Sequence, residues 1–276
     1  PGRREEDLAR QDPDPRMSIS KLASVHPDAR IGKDVVIEPF PSIAGDVSIG
    51  DGTWIGPNST IMDGARIGAQ CRIFPGAVIS AIPQDLKFAG EKTTAEVGDR
   101  TTIRECVTIN RGTTDRDRTA VGADCLLMAY VHLAHDCLVG DNVVIANSVN
   151  LAGHVTIGDW AILEGNVAVQ QFINIGAHSF VAGASLVRKN VPPYVKAARE
   201  PLSFVGVNVV GLRRRGYADD AVARIEDIYR EIFVRNTNLE RAVQNVEQQF
   251  KDSPERALIV EFIRSSPKGI MRGLTE

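Results

Sequence analysis

Histidine is the side chain in this sequence best suited to moving a proton at neutral pH, because imidazole titrates there. The chain has five histidines, which are His26, His132, His135, His154 and His178. His132 and His135 are three positions apart, and Asp136 directly follows His135. A carboxylate beside an imidazole can orient the ring, although neighbouring side chains can also point apart. The first hypothesis is therefore a general base at His135.

Two charged segments offer chemistry of a different kind. The segment Gln84-Asp85-Leu86-Lys87 could hold a sugar hydroxyl and an anionic group, or it could be solvated surface. The run Arg213-Arg214-Arg215 could clamp a diphosphate, since guanidinium groups pair well with phosphate oxygens. Further positive charge, which could receive an acidic partner, comes from Arg188, Lys189, Lys196 and Arg199.

A six-residue repeat must position these groups. Isoleucine, valine or leucine occupies every sixth position in three runs, from Val25 to Ile79, from Val97 to Ile109 and from Val121 to Val187. This period fits neither a continuous helix nor a continuous strand, but it fits a short strand followed by a turn. Glycine often follows the aliphatic residue, and a small or β-branched residue lies four positions after it.

Three such repeats would close one triangular coil of eighteen residues, and coils would stack as parallel strands about 4.8 Å apart. Gly153 would then lie above His135, with His154 one residue further along and His132 around a corner. The pattern predicts a mainly β protein built as a parallel β-helix. The repeat is absent near 80–96 and 111–120, yet its phase survives, so both segments are predicted to be loop excursions that carry function.

The repeat predicts a division of the chain into three parts. Residues 1–16 are charged, and we interpret them as a disordered extension or an expression remnant. Residues 17–200 form the β-helix, and residues 201–276 form a C-terminal α-helical domain. Helical periodicity there predicts three apolar faces, composed of Ala221, Ile225, Ile228 and Ile232, of Leu239, Val243, Val246 and Phe250, and of Leu258, Ile259 and Phe262.

Composition narrows the function classes. The net charge of −3 gives no reason to expect a nucleic-acid partner, and no apolar run is long enough for a transmembrane segment. The 5% aromatic content favours a narrow core filled by aliphatic side chains. The four cysteines lack metal-site spacing, which favours free thiols in a reducing cytoplasm.

Several motifs occur together in order, and they are Ile103–Ile109 (IRECVTI), Leu133–Asp136 (LAHD), Leu151–His154 (LAGH), Val191–Tyr194 (VPPY) and Gly211–Gly216 (GLRRRG). With the Gln84–Lys87 loop, they resemble the UDP-N-acetylglucosamine O-acyltransferases that begin lipid A biosynthesis, within the hexapeptide-repeat acyltransferase superfamily. The resemblance covers about residues 24–272. It implies a left-handed parallel β-helix and a homotrimer with active sites between subunits. It also implies transfer of a 3-hydroxyacyl chain from acyl carrier protein to the 3-hydroxyl of UDP-N-acetylglucosamine, without a cofactor or metal.

The resemblance also implies roles for individual residues. His135 would be the base, and the Gly153 N–H would stabilise the oxyanion. Contacts to the nucleotide sugar or the acyl-pantetheine would come from Gln84, Asp85, Lys87, His132, His154 and Gln171. The uridine diphosphate end would meet Asn208, Arg214 and Arg215, and Gly183 would help to set acyl-chain length. The family commonly has His and Glu where this chain has Gln170 and Val210.

Other functions remain open at this point. The acceptor could be a 3-amino sugar, or the chain could perform the next, N-acylating step, although that enzyme has an additional N-terminal domain and these repeats begin by Val25. A zinc enzyme like the γ-class carbonic anhydrases would use His132, His135 and His154 as ligands. The chain could also be a non-catalytic scaffold, but this would leave the clustering of His132, His135 and His154 unexplained. Cys137 falls on an inward position of the repeat, so we interpret it as core and not as a nucleophile.

Overall fold

The computed structural model describes residues 18–236 and 238–273, in which three parallel sheets are followed by helices. Consecutive strands enter the three sheets in turn, so the chain winds around a three-sided prism. The prediction for residues 1–16 lies outside the described residues.

Most strands contain only two residues. Sheet A comprises Ser18–Ile19, Val36–Ile37, Trp54–Ile55, Arg72–Ile73, Thr102–Ile103, Leu126–Leu127, Val144–Ile145, Ile162–Leu163, Phe180–Val181, Val195–Ala198 and Ser203–Val207. Sheet B comprises Ser24–Val25, Ser42–Ile43, Thr60–Ile61, Val78–Ala81, Thr108–Asn110, His132–Leu133, Asn150–Leu151, Ala168–Val169 and Leu186–Val187. Sheet C comprises Arg30–Ile31, Ser48–Ile49, Ala65–Ile67, Thr94–Val97, Arg118–Val121, Leu138–Val139, Thr156–Ile157 and Asn174–Ile175.

The register confirms the predicted coil of three repeats. Leu133 pairs with Leu151, and Leu151 pairs with Val169, so residues one coil apart are vertical neighbours. Every aliphatic residue of the repeat from Ile37 to Val187 is at most 5% exposed and points into the prism. Aliphatic side chains suit this narrow interior, and their burial stabilises the stack by about 25 cal/mol per Å² of apolar surface.

Tight turns join the three sheets and explain the recurrent glycine. A Cβ atom on Gly158 would lie 2.6 Å from the backbone nitrogen of Ala177 in the next coil, so only glycine fits. The next residue, Asp159, accepts a hydrogen bond from the Asp141 N–H at 2.9 Å. In this Gly-Asp pair, the glycine therefore permits the close approach of the next coil, and the aspartate forms a hydrogen bond to the preceding coil.

The two excursions are shorter than predicted. They span 82–93 and 111–117, because Thr94–Val97 and Arg118–Val121 are strands of sheet C. Ala95 pairs with Ala65 and Ala120 pairs with Glu96, although each pair is further apart in the chain than one regular coil. The first loop thus adds two repeats to its coil and the second adds one. The strands after both loops pair in register with their neighbours, so the inward positions are unchanged.

The prism has three edges, and each site residue is located below by the edge on which it lies. Edge BC joins sheet B to sheet C and comprises 26–29, 44–47, 62–64, 82–93, 111–117, 134–137, 152–155 and 170–173. Edge CA comprises 32–35, 50–53, 68–71, 98–101, 122–125, 140–143, 158–161 and 176–179. Edge AB comprises 20–23, 38–41, 56–59, 74–77, 104–107, 128–131, 146–149, 164–167 and 182–185. Both excursions therefore leave from the same edge.

The C-terminal part, predicted to begin at 201, opens with a strand. Ser203–Val207 pairs antiparallel with Val195–Ala198 and ends sheet A, and the first helix starts at Val209. The helices are α1 Val209–Arg214, α2 Asp219–Arg230, α3 Leu239–Gln249 and α4 Pro254–Arg264, with a π-helical segment Glu231–Arg235 after α2. No helix of the described residues has both the length and the apolar character that a bilayer crossing requires.

Two of the predicted helical faces are largely correct and the third is partly wrong. Ala221, Ile225, Ile228 and Ile232 are buried as predicted, and so are Val243 and Val246. In α4, however, Leu258 is 36% exposed, while the residues that face inward are Ile259, Val260 and Ile263. The apolar run 257–260 gives several adjacent choices of face, and packing selects among them.

We predict that Leu127→Ala lowers the free energy of unfolding by about 2–5 kcal/mol, since it leaves a cavity inside the prism. Leu186→Ala is the matched control, because that leucine is 40% exposed on an outer face. A surface substitution of this kind should cost about 0.5 kcal/mol or less. Denaturant unfolding followed by circular dichroism measures both. Equal losses would show that the prism interior is not the stabilising core.

Candidate active site at edge BC

His135 lies at edge BC, directly after the strand His132–Leu133, and is 5% exposed. Its Nδ1 is 2.8 Å from Asp136 Oδ2, so the predicted orienting role of Asp136 is supported by the geometry. A carboxylate only accepts hydrogen bonds, so Nδ1 is the donor, and in the neutral ring Nε2 is the free acceptor. The unprotonated Nε2 is the atom that can take a proton from a substrate.

Asp136 is fully buried but has several donors around it. The Thr113 N–H and Oγ1–H donate to its two oxygens at 2.9 and 2.7 Å, and the Arg116 N–H donates at 3.3 Å. Burial alone would raise the pKa of Asp136, but the hydrogen bonds from Thr113 and His135 outweigh burial and hold the pKa below its usual value. Asp136 therefore stays ionised at neutral pH and fixes the His135 ring.

Gly153 lies one coil above His135, as the repeat predicts. A Cβ atom there would be 2.6 Å from His135 Cε1 and 2.7 Å from Nε2, so any other residue would displace the imidazole. Among the described residues, none accepts a hydrogen bond from the Gly153 N–H. Gly153 thus combines a free backbone donor with close packing against the His135 ring.

His154 continues the column of rings along edge BC. Its ring centroid is 5.0 Å from that of His135, edge to face, and 4.4 Å from that of Phe172, stacked. His154 Nδ1 lies 3.1 Å from Asp115 Oδ2 in the 111–117 loop. The two histidines predicted to meet across coils therefore do meet.

His132 does not join them. It points outward from sheet B, its Nδ1 is 2.7 Å from Thr108 Oγ1, and burial lowers its pKa. In the described part of the chain, the group whose ligand atoms lie within 4.8 Å of one another is His135, Asp136 and His154. The alternative zinc set with His132 is therefore not assembled within one chain. Moreover, His135 and Asp136 are hydrogen-bonded at 2.8 Å, closer than the about 3.3 Å between ligands of a tetrahedral zinc ion.

Arg215 lies against edge CA instead. The Arg215 guanidinium lies 5.3 Å from the Trp160 ring centroid and 3.4 Å from His178 Nδ1. Burial, and then the charge of Arg215, lower the pKa of His178 to about 4, so that ring is neutral at pH 7. Asn208 accepts from Gly211 N–H and donates to His178 O, so its side chain caps α1. The predicted uridine role of Asn208 would have to coexist with this structural one.

The other predicted site residues are divided among the edges. Gln84, Asp85, Lys87 and Gln171 are on edge BC with His135, and Gln170 is exposed beside them. Asp85 accepts a hydrogen bond from the Lys87 N–H at 3.0 Å, which closes a turn within the loop. Gly183 is on edge AB, while Arg214 and Val210 are exposed on α1. One chain thus does not bring all of these residues together.

Thr113 and Arg116 are the residues that the sequence did not reveal. They occupy an excursion without the repeat, and their contacts to Asp136 join positions that are distant in the chain. The available signal was the interruption of the repeat itself, which marks the loop as an addition to the coil but does not say where it folds.

Comparison with known proteins identifies matching families. A family model described as Udp N-acetylglucosamine O-acyltransferase, domain 2, matches residues 190–271. A bacterial transferase hexapeptide model matches residues 46–81 and 118–153. The acyl-[acyl-carrier-protein]–UDP-N-acetylglucosamine O-acyltransferases of Paracidovorax citrulli and Herminiimonas arsenicoxydans are 47% and 41% identical over 199 residues, which is 70% of this chain and 76% of each relative.

A solved UDP-N-acetylglucosamine acyltransferase from Bacteroides fragilis superposes with a TM-score of 0.91 at 47% identity, covering 92% of this chain and all of that one. The repeat, the three parallel sheets and these matches define a left-handed β-helix of the hexapeptide transferase class. Within that class, the chain belongs to the UDP-N-acetylglucosamine O-acyltransferase family.

The cysteines yield a prediction about nucleophilic chemistry. Burial raises the pKa of Cys71 and Cys125 to about 11 and that of Cys137 to about 12, so at pH 8 roughly one thiol in a thousand or fewer is ionised. We expect only the partly exposed Cys106 to react with a thiol reagent in the native protein, and all four cysteines to react in denaturant. Cys106→Ser should abolish the fast reaction. A remaining fast thiol in that variant would contradict the buried assignment.

Proposed function

We propose that this chain transfers a 3-hydroxyacyl group from acyl carrier protein to the 3-hydroxyl of UDP-N-acetylglucosamine, the first step of lipid A biosynthesis. The single observation that carries the mechanism is the 2.8 Å contact of His135 Nδ1 with Asp136 Oδ2, which directs Nε2, the acceptor of the neutral ring, to the side on which Gly153 packs. A general base and an oxyanion donor are the two groups that acyl transfer to a hydroxyl requires. The family membership supplies the substrates.

The reaction proceeds without a covalent acyl-enzyme. His135 Nε2 removes the proton of the sugar hydroxyl as its oxygen attacks the thioester carbonyl. The resulting oxyanion accepts a hydrogen bond from the Gly153 N–H. The carbon–sulfur bond then breaks, and His135 returns the proton to the leaving thiolate. A positioned base typically contributes about 10²–10⁴ in rate, and one oxyanion donor about 10²–10³.

Asp136 has a supporting role in both steps. The imidazole becomes positively charged when it accepts the proton, and the ionised carboxylate at 2.8 Å stabilises that charge. The reaction as written needs no cofactor and no metal. We place it in the cytoplasm, in keeping with four free cysteines.

The division of the substrate residues among edges supports a homotrimer with sites between subunits. The base lies on edge BC, the proposed acyl-length residue Gly183 on edge AB, and Arg215 next to edge CA. Sheet A also presents an outward apolar row, which consists of Leu126, Val144, Ile162 and Phe180. Leu86, in the 82–93 loop, is fully exposed. A neighbouring copy would cover these apolar surfaces and place edge BC of one chain against another edge of the next.

We predict that His135→Ala lowers turnover by about 10²–10⁴-fold, because the base is lost, while the protein stays folded. His26→Ala is the matched control, since His26 is half-exposed at the far end of the same edge, and its turnover should be unchanged. The assay uses UDP-N-acetylglucosamine with acyl carrier proteins of several hydroxyacyl lengths, in the presence of EDTA, and a 3-amino acceptor in parallel. Near-normal turnover of His135→Ala would refute the mechanism.

Mixing two inactive variants tests whether sites are shared between chains. We predict that His135→Ala and Arg215→Ala, each impaired alone, regain roughly a quarter of wild-type turnover after denaturation together at equal amounts and refolding, since each mixed ring has one intact interface. Each variant refolded alone is the control. No recovery, with mixed assembly shown by mass spectrometry, would place both residues in a site within one chain.

A further inference from the structure

The 111–117 loop directs its buried polar groups at one carboxylate. Thr113 is 8% exposed, and its N–H and hydroxyl both donate to Asp136. The Arg116 guanidinium donates to the backbone oxygen of Asp136 at 2.8 Å and contacts Thr156 Oγ1 at 3.2 Å. Just after the loop, Thr119 Oγ1 accepts from the Asp136 N–H at 2.8 Å. The loop therefore holds Asp136 by both its side chain and its backbone.

The loop itself is held in place from below. The Thr93 hydroxyl donates to Gly112 O at 2.6 Å, and the Gly112 N–H donates to Thr94 O at 3.1 Å. A Cβ atom on Gly112 would come within 2.6 Å of Arg118 Cα, so glycine is needed for this close approach. A continuous set of contacts thus runs from the end of the first excursion through Gly112 and Thr113 to Asp136.

We infer that Thr113 is a positioning residue for the base, acting through Asp136 to keep the His135 ring oriented with Nε2 free. The inference rests on the transfer reaction proposed above. Asp136 Oδ2 receives both the Thr113 hydroxyl and His135 Nδ1, at 2.7 and 2.8 Å. The Thr113 hydroxyl therefore fixes the position of Asp136 Oδ2. The same oxygen accepts the hydrogen bond from His135 Nδ1 and so selects the tautomer of the ring. The inserted repeat thus brings this hydroxyl to the base, together with the Arg116 contacts to Asp136.

Two substitutions separate the hydroxyl from the shape of the side chain. Thr113→Val keeps the shape and loses the hydroxyl, and we expect kcat to fall about ten-fold with KM for the sugar nucleotide unchanged, in line with one hydrogen bond to a charged group. Thr113→Ser keeps the hydroxyl and should restore kcat. Thr114→Val is the matched control, because Thr114 is exposed in the same loop and makes no side-chain hydrogen bond to the described residues.

The pH profile adds a readout that a purely structural role would not move. The charged or titratable groups facing Asp136 are His135, His154 and Arg116, with Asp115 next to His154. Without the Thr113 hydroxyl, the carboxylate attracts the imidazolium proton more strongly. The acidic limb of the rate profile of Thr113→Val should therefore move to higher pH, while that of Thr113→Ser should not.

Two results would overturn the inference. One is Thr113→Val with wild-type kcat and pH profile, and the other is Thr113→Ser as impaired as Thr113→Val, because the latter assigns the effect to packing of the methyl group. If Thr113→Val does not fold, Thr113→Ala replaces it as the variant without the hydroxyl, and Thr113→Ser stays the variant that restores kcat and the pH profile. An inactive wild-type protein would instead refute the proposed function, which the unsubstituted control detects separately.

Discussion

The vertical hydrogen bonds between coils are the interaction on which the rest of the structure depends. Backbone groups at the corners donate to the neighbouring coil, as His154 N–H does to His135 O at 3.0 Å. This fixes the rise between coils near the strand spacing of about 4.8 Å. Side chains at equivalent positions must then either stack or leave room for one another. His154 stacks on Phe172, whereas Gly153 leaves room for His135.

The proposed base illustrates how a rigid scaffold controls a proton. His135 and Asp136 are adjacent in sequence, and on a regular strand adjacent side chains point to opposite faces. At this corner Asp136 has a φ of 60°, which turns the carboxylate back towards the ring. Such a backbone conformation is uncommon for a residue with a side chain. It recurs at this prism's corners, for example at His154 and His178.

Much of the fold could be predicted from the sequence, and the reason is periodicity. The series from Val25 to Val187 defines the coil and the stack. It also predicts the contact of His135 with Gly153 and His154, because residues eighteen apart in a strict repeat occupy the same place in neighbouring coils. Residues outside the repeat could not be placed in this way. The face of α4 was misassigned at Leu258, and His132 was placed in a cluster from which its outward direction on sheet B excludes it. Thr113 was not identified, since nothing local indicates where an inserted repeat folds back. The roles carried by family resemblance, such as those of Gly183 and Arg214, stay predictions.

The two excursions, of two repeats and of one, also bear on how such a chain can change over time. Because each leaves and re-enters the prism at the same edge, the coil closes beneath it and the inward aliphatic residues keep their places. Loops at such an edge can lengthen, shorten or disappear while the prism persists. The same core can therefore present different loops.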